Sequence, residues 1–259
     1  MKNLEDVCNW LKSTHTELAT NEELPEPVIY NEITYTTDSI EYRLAKFRNE
    51  FDLHFDREYC EVYFICTELL IQYDSRGKNM MLASWGPKEV NGNYIWYPLF
   101  YDVDTQLGIS NSGVPSWDYD TEATATNNFS TSDSALHNNL WACFADEIKN
   151  KYAALRKDKL TYEELNGYYS YNPAVSKSYA MRGVKPVSII NVDQYWKYIA
   201  PTFTGYIDTS GNLAYDFGKR FYCLQGSRDL QRELFLRNRF NFVDSGWLGG
   251  DYVYEAATQ

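Results

Sequence analysis

Apolar and polar positions recur along this chain with two different periods, and the changes of period mark its expected elements. Leu4, Val7, Trp10, Leu11 and Leu18 fall loosely on one side of a helix over about residues 3 to 19. Residues 21 to 32, NEELPEPVIYNE, break that pattern. Pro25 and Pro27 resist helix and bias the residues before them towards extended geometry, so a loop is expected. Asp38 is a suitable N-cap, and Glu41 follows at capping-box spacing. Ile40, Leu44, Phe47, Phe51 and Phe55 then recur every three or four residues, the stripe of a helix. Asp56 caps a further helix over about 57 to 72 that is apolar nearly all round, as buried central helices are. Glu61 and Glu68 alone interrupt it.

Two strands follow, Met80 to Trp85 and Tyr94 to Tyr101, joined by GPKEVNGN with its Asn91-Gly92 turn signal. Residues 105 to 133 carry little core pattern and much Gly, Ser, Thr, Asn and Asp. Loops of that length are commonly functional or ordered by a partner. Helical periodicity returns from Ser134 to about Arg156, through Leu136, Leu140, Trp141, Phe144, Ile148, Tyr152 and Leu155. Thr161 opens another helix, residues 171 to 190 are irregular, and 192 to 201 is a short helix stopped by Pro201. A second hairpin turns at Ser210-Gly211-Asn212, and a final helix spans about 227 to 243. The fold class expected is α+β, a helix-rich domain with a small antiparallel sheet. Residues 1 to 36 form an N-terminal helix and extended linker, and residues 37 to 259 the helix-rich domain.

Composition narrows the function. With 259 residues the chain is long enough to bury a substantial core. The net charge of −12 disfavours general nucleic-acid binding and adsorption to anionic membranes, both of which need a basic face. Local basic stretches at Lys149 to Lys159 and Arg228 to Arg239 leave room for nucleic acid only as the contents of a channel. Five widely spaced cysteines without Cys-x-x-Cys argue against a disulfide framework or structural zinc, and fit folding in a reducing cytoplasm. No run approaches ~20 apolar residues, so no membrane segment is expected. The 17% aromatic content is high and suits either subunit contacts or a large core.

The candidate chemistry lies at the ends of the apolar runs around the first hairpin. One helix ends at Asp74, and the basic loop Ser75-Arg76-Gly77-Lys78 leads to Asn79. The second strand ends at Asp102 and Asp104. In phosphoryl transfer one carboxylate orients the attacking hydroxyl while an Asn and an acid hold magnesium. Asp74 and Asn79 are five positions apart, as the corresponding pair is in protein kinases. Asn79, Asp102 and Asp104 then supply hard oxygen ligands for the metal, and Arg76 and Lys78 cationic contacts to nucleotide phosphate. Equally, Asp74 and Asn79 can close turns and the two later acids can hydrogen-bond the loop that follows.

The helix, D-x-x-x-K-N, strand, turn and W-Y-P-x-x-Y-D-x-D-x-x-x-G over about 57 to 110 resemble the CotH kinase family, whose fold is that of atypical kinases. That resemblance implies a kinase-like core in the style of the helical lobe. It implies Asp74 as catalytic acid, Asn79 with Asp102 or Asp104 as metal ligands, and Mg and ATP as cofactors. Against it, residues 1 to 55 contain no glycine for a phosphate-covering loop, and Lys46 lies in a helix pattern.

A longer ordered series is similar to segments of large tail (muzzle or hub) proteins of short-tailed, crAss-like phages. It comprises KNMMLASWG, WYPLFYDVDTQLG, FSTSDSALHNNL, LTYEEL and LQGSRDLQRELFLRNRFNFVDSGW. This resemblance implies a virion structural protein, synthesised in the host cytoplasm. Its partners are other tail proteins and copies of itself, and it needs no cofactor.

Overall fold

The computed structural model describes residues 2–72, 74–90, 92–103, 106–107, 134–169, 206–207, 213–215 and 228–250. It is mixed α+β, with helices predominating and, among the described residues, strands that pair in antiparallel two-stranded ladders. The chain divides into two compact units, residues 1–104 with 122–153, and 105–121 with 154–259. Residues 1 to 36 therefore lie in the same unit as the Asp74 loop.

Helix α1 spans Lys2–Thr14 and is followed by a 3-10 turn at Thr16–Leu18, which replaces the single helix expected to residue 19. The loop expected over 21 to 32, and with it the extended linker, is a β-hairpin. Strand β1 (Glu23–Tyr30) pairs with β2 (Ile33–Thr37), with Tyr30 opposite Ile33. The two-residue turn has φ of 47° at Asn31 and 65° at Glu32, the left-handed pair that a tight hairpin requires. Asn tolerates that region; Glu does so at a cost, and no glycine signals the turn in the sequence. Pro25 and Pro27 fall where the register shifts between Glu23 and Val28, so neither has to donate to a regular ladder.

Helix α2 spans Ile40–His54, and its N-cap is Ser39 rather than Asp38, with Oγ accepting from the Tyr42 N–H. Asp38 is occupied otherwise. Its carboxylate takes two hydrogen bonds from Arg43, at 2.6 and 2.7 Å, and two more from Thr20. Arg43 in turn donates to the Lys12 and His15 carbonyls, closing the end of α1. Trp10 stacks on Phe47 at 5.2 Å and on His54 at 4.4 Å, and its Nε1–H donates to Glu50. Of the expected α2 stripe, Phe47, Phe51 and Phe55 are fully buried, whereas Ile40 is exposed.

Helix α3 (Arg57–Leu69) is capped by Asp56, as its sequence predicts, and is buried on most faces. Strands β3 (Met81–Pro87) and β4 (Tyr94–Leu99) form the expected hairpin, tied to the α2–α3 junction where Phe55 bridges Trp96. Helix α4 (Ala135–Leu155) bends at Phe144, whose φ and ψ of −131° and 25° are non-helical. Its first half stacks Trp141 on Phe64 with planes 2° apart. Arg48 and Arg57 lie over the Phe144 ring, and Arg48 also donates to the Cys143 carbonyl at the bend. Cys60 and Cys143 are buried free thiols, and burial raises the pKa of each.

In the second unit, helix α5 spans Tyr162–Tyr169 and helix α6 spans Arg228–Trp247, several residues longer than expected. Arg156 makes a two-pronged ion pair with Asp244 and lies over Phe240. Arg239 is fully buried and serves packing, whereas Arg237 is exposed and lies over the Tyr162 ring. Backbone pairing joins β5 (Tyr206–Ile207) to β6 (Leu213–Tyr215). The turn at 210 to 212, the segment 105 to 133 apart from Gln106 and Leu107, and the helix expected at 192 to 201 lie outside the described residues. No helix among the described residues is long and apolar enough to cross a membrane.

Candidate functional site

The Asp74 loop begins at the end of α3, where the helix stops abruptly. Gln72 N–H reaches the Thr67 carbonyl at 3.0 Å and Ile71 N–H reaches Glu68 at 3.2 Å, the two crossed bonds of a Schellman ending. The residue that such an ending places in left-handed geometry is usually glycine. Here it is Ile71, with φ of 47° and a fully buried side chain. A β-branched residue in that region is strained, and its burial in the core holds it there. The chain thus turns sharply into Asp74.

Asp74 to Asn79 is a compact loop closed on itself. The Asp74 carbonyl accepts from Gly77 N–H at 3.3 Å and from Asn79 N–H at 2.9 Å. The Ser75 carbonyl accepts the Tyr63 hydroxyl at 2.6 Å, which anchors the loop to α3. Asp74 is only 3% exposed, and the Lys78 ammonium lies 3.5 Å from its carboxylate. Lys78 itself points largely into solvent.

Arg76 does not face a ligand. It is 4% exposed, donates to the Phe64 carbonyl and the Thr67 hydroxyl at 2.8 Å each, and pairs with Glu68 at 3.1 Å. Its guanidinium centre lies 3.8 Å from the Phe64 ring centroid. These contacts fold the loop down onto the last turns of α3. The loop is thereby rigid and locked to the core, and Arg76 is unavailable to phosphate as placed. Glu68, Thr67 and His137 are the polar residues this arrangement needs and the sequence did not single out for it. An acid inside a helix apolar all round was the signal for Glu68, since such a charge needs a partner.

Asn79 and Asp102 are brought together. The Asn79 Nδ2 donates to both the Asp102 carbonyl and its Oδ2, at 3.3 Å each. Asp102 is exposed and has φ of 51°. Asp104 lies outside the described residues. For magnesium, the fit is poor as it stands: the amide offers Asp102 a donor rather than a second oxygen. Among the described residues no group of three or more His, Cys, Asp or Glu could hold a metal ion. With the site in view, comparison with known proteins adds no relative: no protein-family model, curated protein or solved structure matches this chain.

His137, on the first turn of α4, packs against Tyr63 and Phe64 behind the loop. Burial, with a smaller contribution from the Arg76 charge, holds its pKa well below the usual value of 6.5. Half-buried His54 is lowered too, chiefly by desolvation. A lowered histidine pKa stabilises the fold fully above the unfolded value and loses that stability as pH falls below it. Asp38 is lowered to about 2, mainly by the Arg43 hydrogen bonds, so its contribution is lost only below about 4. Acid unfolding is therefore expected in two stages. The first begins below about pH 6.5, with a slope near 1.4 kcal/mol per pH unit for each proton taken up. Urea midpoints measured from pH 8 to pH 3 check this, and His137→Gln should flatten the first stage while leaving the second.

Proposed function

We propose that this chain is an architectural component of a phage tail, making contacts with neighbouring tail proteins and with copies of itself. The observation that carries the reading is the apolar outer surface of the β3–β4 hairpin. Trp85 is 91% exposed and Val90 92%, with Met81, Phe100 and Tyr101 also open to solvent. Trp85 and Val90, beside the turn of this hairpin, are large apolar side chains left almost fully open, of the kind a protein partner covers. The Asp74 loop supports the same reading, because its groups are engaged in closing the loop and fixing it to α3. The choice of a phage tail as the assembly rests on the sequence resemblance alone, and the exposed hairpin supports only a protein contact.

Particles assembled with the wild-type chain and purified to homogeneity should contain its peptides. Trp85→Asp should lower its incorporation at least ~10-fold, the scale of a contact worth about 1.4 kcal/mol. The thermal midpoint of the free protein should be unchanged, since Trp85 is solvent-facing. Absence of the chain from the particle ends this reading.

One contact favours a second reading. Asn79 and Asp102 lie together, as the metal-binding residues of a CotH-like phosphotransferase would beside Asp74, although the Asn79 amide here donates to Asp102 and would have to turn to offer its oxygen. Calorimetry with Mg-ATP on the wild type and on Asp74→Ala decides it: absence of binding to either removes the enzyme reading.

A further inference from the structure

We propose that a cavity bounded by the end of α1, the Arg76–Met80 loop and the first turn of α4 binds a small organic anion with an apolar body. The cavity holds about 510 Å³ and lies wholly within the first unit. That volume is within the range of small-molecule sites, ~300–1,000 Å³. It is distinct from the Asn79–Asp102 pair, neither of which lines it. The inference is independent of the tail-protein reading.

Charge is the first argument. The chain carries a net charge of −12, yet every titratable residue lining this cavity is basic: Lys12, His15, Arg76 and Lys78. They do not contribute equally. The charge of Arg76 is matched by Glu68 behind it. Lys78 lies 3.5 Å from Asp74, and its side chain is 67% exposed. Lys12 is exposed and has no acidic partner among the described residues. Lys12 thus brings a positive charge to the rim that no acidic side chain among the described residues offsets, and the exposed Lys78 ammonium brings one shared with Asp74.

The floor adds to the same sign. Ser134, Ala135 and Leu136 begin a helix of 21 residues, so the positive end of its dipole opens on the cavity. The Ser134 hydroxyl caps the His137 N–H, which leaves the first turn formed and its backbone oriented. His15 Nδ1 accepts the Glu17 N–H at 3.3 Å, which puts the ring proton of the neutral imidazole on Nε2.

The walls decide what sort of anion. Leu11, Met80 and Leu136 line the space between these polar groups. Inorganic phosphate would leave that surface wet, whereas a carboxylate on a short apolar chain would cover it. Methionine accommodates ligands of variable shape, because its side chain is unbranched and flexible.

Calorimetric titration of the full chain with octanoate, octanamide and inorganic phosphate tests this. Octanoate should bind saturably at one site, and octanamide and phosphate at least ~10-fold more weakly. The Lys12→Gln/Lys78→Gln double variant should also bind octanoate at least ~10-fold more weakly, with its thermal midpoint unchanged. Met80→Glu, which places an acid on the wall, should reduce octanoate binding independently. The proposal is overturned by any of four results. These are no saturable octanoate binding at millimolar concentration, octanamide binding as tightly, phosphate binding as tightly, or a double variant that binds octanoate like the wild type.

Discussion

Replacing Arg76 with alanine is expected to lower the unfolding free energy by about 3–5 kcal/mol, as removal of one partner from a buried ion pair does. Several losses coincide at this residue. Glu68, only 2% exposed, would lose the cation 3.1 Å away. The Phe64 carbonyl and Thr67 hydroxyl would each lose a donor, and the Phe64 ring the cation lying over it. Restoring electrical balance should recover most of the loss. Arg76→Met combined with Glu68→Met replaces the pair with apolar side chains of similar reach, and should lie within about 1–2 kcal/mol of the wild type. Denaturant unfolding of the three proteins measures this. A phosphate-binding role predicts a different pattern, in which Arg76→Ala folds normally and loses only a ligand. An Arg76→Ala protein within 1 kcal/mol of the wild type would refute the structural assignment.

Helix α2 was legible in the sequence through its 3.6-residue stripe, and α3 through its cap and its nearly continuous apolar run. Asp56 caps α3 as expected, and the stripe through Phe47, Phe51 and Phe55 forms the centre of the first unit. The β3–β4 hairpin was legible too, since its apolar runs flank a strong turn signal. The β1–β2 hairpin was not. Its turn is built from Asn31 and Glu32 without glycine, and its prolines argue against strands unless a register shift absorbs them. Asp38 and Ser39 illustrate a different limit. Either residue can cap α2 by its chemistry, and only the tertiary position of Arg43 and Thr20 decides that Asp38 is used elsewhere.

At the candidate site the sequence placed Asp74, Asn79 and Asp102 near one edge, and the structure brings Asn79 to Asp102. What spacing could not reveal was direction. Arg76 and Lys78 are two residues apart in a basic loop, yet one turns into the core and the other into water. That divergence follows from the loop's closure onto the Asp74 carbonyl and from Ile71, which sets the angle at which the chain leaves α3. A loop preceded by such a strained, buried residue is held by packing, so its shape depends on the core beneath it.

That dependence makes Phe51 the other position of large effect. Phe51→Ala is expected to cost about 3–5 kcal/mol, the range for removing a buried phenyl ring. The ring is fully buried, 5.1 Å from Phe47, 5.5 Å from Phe55 and 5.4 Å edge-on from Phe144. Trp10 completes the cluster at 6.3 Å. The cavity left behind cannot collapse easily, because each neighbour is itself fixed. Phe144 sits at the bend of α4, Phe55 is bridged to Trp96, and Trp10 is tied to Glu50. Phe51→Leu, which keeps most of the apolar volume, should cost less than about 1.5 kcal/mol. Guanidinium unfolding checks both values. The near-ultraviolet signal of the tryptophans should weaken in the alanine variant, because Trp10 loses the ring that orients it. An alanine variant as stable as the leucine variant would mean that the cluster can repack. The aromatic core, and not the charged loop, would then be the tolerant part of this fold.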